Sequence, residues 1–246
     1  MSAHNWLNLA AVLWFFAIWV GYASFARHQA RVSYSLSSVL QIYRKRWMHA
    51  MLRRENRIGD TALIAGLERQ TTFLASTSIF VIAGLITVLA SVEQVHATLT
   101  GLPFFNKEMT SRQLQFKILL LLSIYVYAFF TLTWAVRQYG FSSILLGAAP
   151  LATDATVTEE ERTQFASSAA KIIDQAGHSY NYGLRAYYFS LSVLPWLFNT
   201  WLFIVATTLV VVVLYRREFH SRPLQTLVNE VRTSVSDSRS DEGPGG

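Results

Sequence analysis

The chain reads as an all-α polytopic membrane helix bundle, with four transmembrane helices and two amphipathic helices on the cytoplasmic side. Three observations predict this. Hydrophobic residues make up 52% of the 246 residues and charged residues only 15%, whereas about a quarter of a soluble domain is charged. Four apolar runs are long enough to cross a hydrocarbon core about 30 Å thick. The cations are segregated: nine of the 21 Lys and Arg residues fall in 26–70, while the apolar runs are nearly empty of charge. In a soluble chain a net charge of +6 would suggest nucleic acid. Here it follows the connecting segments, as the positive-inside rule expects of a multi-pass inner (plasma) membrane protein, so no nucleic-acid partner is expected. Cysteine is absent, which excludes disulfides, thiolate catalysis and Cys-ligated metal.

The first run, 6–25, carries no Lys or Arg before it, and Arg27 and Arg31 follow it. A cleaved signal peptide would show the opposite order, so a retained helix with its N-terminus outside is expected. Residues 33–58 form an amphipathic helix: Leu36, Val39, Leu40, Tyr43, Trp47 and Met51 recur at helical spacing, and Arg44, Lys45, Arg46, Arg53, Arg54 and Arg57 cover the other side. This cationic, Trp-bearing surface suits anionic lipid headgroups. Gly59-Asp60 breaks the helix, and Asp60 is the expected N-cap of the next one.

The second span, 71–92, carries Thr72, Ser76, Ala83, Thr87 and Ser91 on one face. Small and hydroxyl residues mark close helix contacts in lipid; the alternative is a pore-lining face. Residues 93–115 connect outside, with turn signals at Gly101 and Pro103. The third span, 116–136, repeats Ser123, Tyr127 and Thr131 as a second expected contact face. The patch 141–151 is too short to span and reads as a buried loop, interfacial segment or re-entrant turn. Thr158 and Glu161 form a capping box that opens an amphipathic helix over 159–176, with Gly177 as its stop.

The last run, 187–215, would be about 44 Å long as a straight helix. Pro195 removes a backbone donor and predicts a kink within it. Ser192, Asn199 and Ala206 share a face, with Asn199 bonding another helix or lining a pore. Residues 1–232 form one membrane domain, and 233–246 are disordered by composition. Four spans put both termini on one side; with 26–70 inside, both face outward, leaving thirteen Lys and Arg inside and seven outside, Lys117 apart.

Two segments, RKRWMHAMLRREN followed by LERQTTFLASTSIFVIAGLITVLAS and GLRAYYFSLSVLPWLF, resemble a family of multi-pass membrane proteins of unknown function found in bacteria and plants. The shared positions are Arg46, Trp47, Met51, Leu74, Ala75, Ser76 and Gly183 to Tyr187. The resemblance covers 26–92 and 178–205, with the rest similar in hydropathy. It implies the membrane architecture and carries no activity.

No chemistry is legible beyond this. The six histidines lie outside the middle of every span, so bis-histidine haem has no ligands, and no cofactor is expected. No Asp or Glu lies within a span, which argues against a proton- or sodium-coupled pump. Phosphate-binding glycine loops and a G-x-S-x-G elbow are missing, so an enzyme is not expected. Arg185, before the last span, suits a lipid phosphate, a carboxylate or an acid from 55–68; snorkelling to headgroups is its simpler role. Three functions remain open. The first is a homo-oligomeric channel or passive transporter for a small solute or ion. The others are an accessory subunit of a larger membrane complex and a lipid-binding membrane-surface protein.

Overall fold

The computed structural model describes residues 3–32, 34–101 and 109–230, and every regular element among them is helical. The helices are α1 (Ala3–Val32), α2 (Leu36–Leu52), α3 (Ile58–Ala90), α4 (Val92–Thr100), α5 (Ser111–Ala148), α6 (Glu159–Val193) and α7 (Thr200–Phe219), with a 3-10 turn at Leu194–Leu197 between the last two. Three stretches are long and apolar enough to cross a membrane: Trp6–Ala26, Ile58–Ala90 and Ser111–Ala148. The turn expected at Pro103 and the tail 233–246 lie outside the described residues.

Serine, threonine and asparagine side chains cap the starts of α2, α5, α6 and α7. Ser35, Thr110 and Thr158 each close a capping box, the last with Glu161 as the spacing predicts. Several helices run further than expected. The 141–151 patch is not a loop: α5 continues through it to Ala148, because nothing before Pro150 interrupts the helix. Likewise Gly177 does not stop α6, which runs on to Val193. Only a glycine leaving the helical conformation caps a helix, and no glycine among the described residues has positive φ. In contrast, α2 ends early, at Leu52, and α3 starts at Ile58 with Arg57 as its N-cap position. Asp60 is therefore not the cap; it sits in the first turn of α3, buried.

The largest correction concerns the last run. Pro195 does not kink one long helix. The chain reverses there: α6 ends, the 3-10 turn holds Pro195 in its first turn, and Asn199 caps α7 by accepting the Trp201 N–H at 2.7 Å. Trp196 anchors the reversal; it is 1% exposed and donates its indole N–H to Asn8.

That reversal fixes the topology. Asn8 of α1, the start of α5 and the 194–199 turn meet at one end. At the other end Phe25 of α1 packs on Tyr215 and Phe219 of α7, and Ser37 before the middle of α2 donates to Glu218. Five helical segments therefore run side by side through the apolar half: α1, α3, α5, the second part of α6, and α7. The beginning of α1 and the end of α7 lie at opposite ends, not on one side as four spans would require. A helix over 222–230 then returns to α2, where Leu224 packs on Val39.

At 33, 38 and 35 residues, α3, α5 and α6 are each about 50 Å or more long at 1.5 Å per residue. At the α2 end, parts of these helices form a second core. Met48, Met51 and Leu52 of α2 pack there on Ile64, Leu146 and the alanine face Ala166, Ala169 and Ala170 of α6.

Candidate functional site

Polar side chains gather in three places. At the α2 end, Asp60 is 2% exposed and accepts the Trp47 indole N–H at 2.6 Å and the Arg54 guanidinium at 2.5 Å. Arg57 donates to the Ala149 and Pro150 carbonyls, tying the start of α3 to the end of α5. Nearby, Asp174 of α6 accepts from Arg44 at 2.7 Å and Gln41 at 3.1 Å, with His178 one turn on at 3.3 Å. Burial pushes the Asp174 carboxyl up, but the hydrogen bond and charge of His178, with the Arg44 guanidinium, outweigh this and hold it below the usual carboxylate range. Gly177 lets Arg44 lie flat on α6: a Cβ there would stand 2.6 Å from the guanidinium nitrogen.

This arrangement reassigns much of the cationic surface. Arg44 and Trp47, expected at lipid headgroups, are bound inside the protein. Lys45 and Arg46 stay exposed, Arg46 over the Tyr43 ring. Among the described residues, no three His, Asp or Glu side chains gather as metal ligands would.

The second place lies between α1, α5 and α6. A cavity of about 560 Å³ is walled by Phe16, Trp19, Leu120, Ile124 and Phe189, with Arg185 at one end. Arg185 lies over the Tyr22 and Tyr182 rings and faces Glu218 at 3.8 Å. Its acid thus comes from α7, not from 55–68. Because α1 packs chiefly on α7 and hardly on α5, the wall between them is open; the lining residues Phe16, Val20 and Tyr127 are all exposed on the apolar surface.

The third place is the far end of the same opening. Lys117, only 5% exposed, donates to the Trp196 carbonyl at 2.6 Å.

The expected stripes fall elsewhere. Thr72, Ser76, Ala83 and Thr87 are exposed within the protomer, and Ser91 is half-buried. Thr72, Thr87 and Ser91 bond back to carbonyls one turn earlier. The face of α3 that packs on α5 and α6 is Ile64, Thr71, Ala75 and Ser78, where Tyr187 donates to the Leu74 carbonyl at 2.7 Å and meets Ser78 at 2.8 Å. On α5, Ser123 and Tyr127 are exposed, while Ala128, Leu132 and Ala135 are buried. There Gly183 of α6 sits against Leu132: a Cβ would approach it to 2.5 Å. Ser192 is buried beside Thr207 at 3.3 Å.

Sequence reasoning missed Asp174, Asn8 and Lys117. Asp174 and His178 at i, i+4 were a legible pair, and Asn199-Thr200 before an apolar run was a legible cap. The partners of Asn8 and Lys117 are too distant in sequence for any local pattern to connect them.

A family model described as "Protein of unknown function, DUF599" matches residues 10–223. No curated protein and no solved structure matches the chain.

Proposed function

The chain belongs to the DUF599 family of proteins of unknown function, and from that premise we propose that it is a non-catalytic inner-membrane protein that binds a membrane amphiphile between α1 and α5. The cavity of about 560 Å³ carries this reading. Its size falls in the range of small-molecule sites, roughly 300–1,000 Å³. Its wall is aromatic and aliphatic, its mouth opens on the apolar surface, and its charged group, Arg185, stands at one end. An acyl or isoprenoid chain matches such a wall.

On this reading five helical segments cross the bilayer, α6 and α7 completing the three that length and hydropathy identify. The positive-inside rule supports the count. Segments 26–70, 137–186 and 216–222, which five crossings put on the α2 side, hold sixteen of the 21 Lys and Arg residues. The α2 end is then cytoplasmic.

Native mass spectrometry from mild detergent, with lipid extraction from the same sample, tests the proposal. Lipid should stay bound at about one copy per chain. Ser123→Trp, which fills the cavity mouth, should remove it without changing helicity or oligomeric state. Retention of the same lipid by that variant would sink the reading.

A second reading, a homo-oligomeric channel or passive transporter for a small solute or ion, is favoured by one observation. The stripe Thr72, Ser76, Ala83 and Thr87 is uncovered in the protomer and is available to line an axis shared by several copies. A defined homo-oligomer in the same spectra, with liposome flux that Thr87→Val alters, would support it. Co-purification of one copy with other polypeptides would support an accessory subunit instead.

A further inference from the structure

The far end of the α1–α5 opening carries a cation that no described residue neutralises. Lys117 is 5% exposed on a helix long and apolar enough to cross a membrane. Its ammonium donates to the Trp196 carbonyl at 2.6 Å and to Met109 Sδ at 3.2 Å, and lies 5.0 Å from the Trp196 ring centroid. An ammonium has three donors, and the described residues accept two. No carboxylate pairs with it among the described residues. Capping the reversal at Trp196 explains one of its bonds but not its charge, because a neutral donor would serve a carbonyl as well. A buried cation without an anion is costly and marks function more often than structure in a membrane.

Among the described residues, the surroundings supply donors and no acid. Lys117 lines a cavity of about 350 Å³ with Asn8 and Arg112, flanked by Leu9, Val12 and Phe116. Asn8 spends its carbonyl oxygen on Trp196 and Thr200, and its amide N–H groups have no partner among the described residues. Arg112 is exposed at the rim and makes no ion pair among them. One helical turn further along both α1 and α5, at Phe16 and Leu120, the aromatic cavity begins. From Asn8 to Ala23 the two cavities follow about 22 Å of helix, more than the depth of one leaflet of a core about 30 Å thick.

We propose that this end is the headgroup site of an anionic phospholipid: its phosphate lies on Lys117, Arg112 and the Asn8 amide, and an acyl chain runs along α1 and α5 into the aromatic cavity. The proposal rests on the reading of that cavity as lipid-filled and adds the headgroup class and the direction in which the lipid lies. A free phosphate would need water and polar walls. Here Leu9 and Phe116 are exposed on the apolar surface, which favours an anion attached to a chain.

The test compares phosphatidylglycerol with phosphatidylcholine, each offered to the delipidated protein in nanodiscs, and inorganic phosphate offered in detergent alone. Native mass spectrometry and thermal unfolding supply the readouts. Wild type should retain phosphatidylglycerol at least tenfold better than phosphatidylcholine. Arg112→Gln, at an exposed position that does not endanger folding, should reduce that preference several-fold. Lys117→Met should abolish it while still binding either lipid, and Lys117→Arg should restore it in part. A preference unchanged in Arg112→Gln and Lys117→Met overturns the headgroup assignment and leaves the lipid-filled cavity standing. Loss of all lipid in Ser123→Trp with no preference in wild type also overturns it. Protection of the protein by inorganic phosphate alone, equal to that by phosphatidylglycerol, would assign the cations to a free anion and overturn the lipid.

Discussion

The α2 end and the apolar half are held together by different physics. At the α2 end, each buried carboxylate selects its neighbours: Asp174 takes Arg44, Gln41 and His178, and Asp60 takes Trp47 and Arg54. Such pairs add little over a well-packed apolar contact, but each becomes expensive once broken, because a charge is left behind without its partner. They therefore specify which helices meet and in what register. In the apolar half nothing is gained by hiding leucine from lipid. Association there relies on close approach and on scattered hydrogen bonds, at Gly183 against Leu132, Tyr187 on Leu74, and Phe15 among Trp19, Phe189 and Phe203. One region is specified by charge and the other by shape.

The contrast is broken most directly at Asp174. Asp174→Ala leaves Arg44 against α6 without its anion, and should cost about 3 kcal/mol, near the low end for a broken buried pair because Arg44 is partly exposed. Thermal unfolding in detergent, read with hydrogen exchange confined to α2, checks both the size and the place. The same pair gives the α2 end an acid sensitivity. A carboxyl held below its ordinary value contributes stability that is complete above that value, 3.8, and is lost as pH falls through its lower folded value. Unfolding below pH 3.8 should therefore begin at α2, and Asp174→Asn should flatten that part of the pH profile.

Gly183→Leu sharpens the comparison from the other side. Overpacking against Leu132 should cost about 1–3 kcal/mol with no pH dependence, and Leu132→Ala in the same chain should recover part of it. Tyr187→Phe removes the bonds to the Leu74 carbonyl and to Ser78 and should cost about 1 kcal/mol, at an average of about 0.6 kcal/mol for such bonds within membranes. Smallest of all, Thr72→Val should change stability by less than about 0.5 kcal/mol, since its hydroxyl bonds only its own helix.

Why the contact faces within the protomer differ from the hydroxyl stripes follows from the same contrast. On a soluble helix, polarity tells the buried side from the wet one. On α3 and α5 both sides are apolar, and a threonine bonded to its own backbone is at home facing lipid. The hydroxyl pattern Thr72, Ser76, Thr87 thus pointed about one residue away from the true face, Thr71, Ala75 and Ser78. Small residues, Ala75, Ala128, Ala135 and Gly183, were the better guide, because backbone approach is what such contacts require. Arg44 and Trp47 were misjudged for a different reason: a cationic stripe looks the same whether lipid phosphate or a distant Asp174 receives it.

Composition and local pattern by themselves determined that this chain is helical, where its apolar stretches lie, that α6 starts at Thr158 with Glu161, and which family it resembles. Each of these depends on residues within a few positions of one another. Tertiary structure alone decided the faces, the reversal between α6 and α7 and the sites between helices. Pro195 is compatible with a kink in one helix or with the end of two, and its own neighbours do not choose. Asn8, 188 residues away, receives the Trp196 indole, and Lys117, 79 residues away, caps its carbonyl. These non-local bonds turn the chain back, and the reversal opens the α1–α5 space on which the functional reading stands.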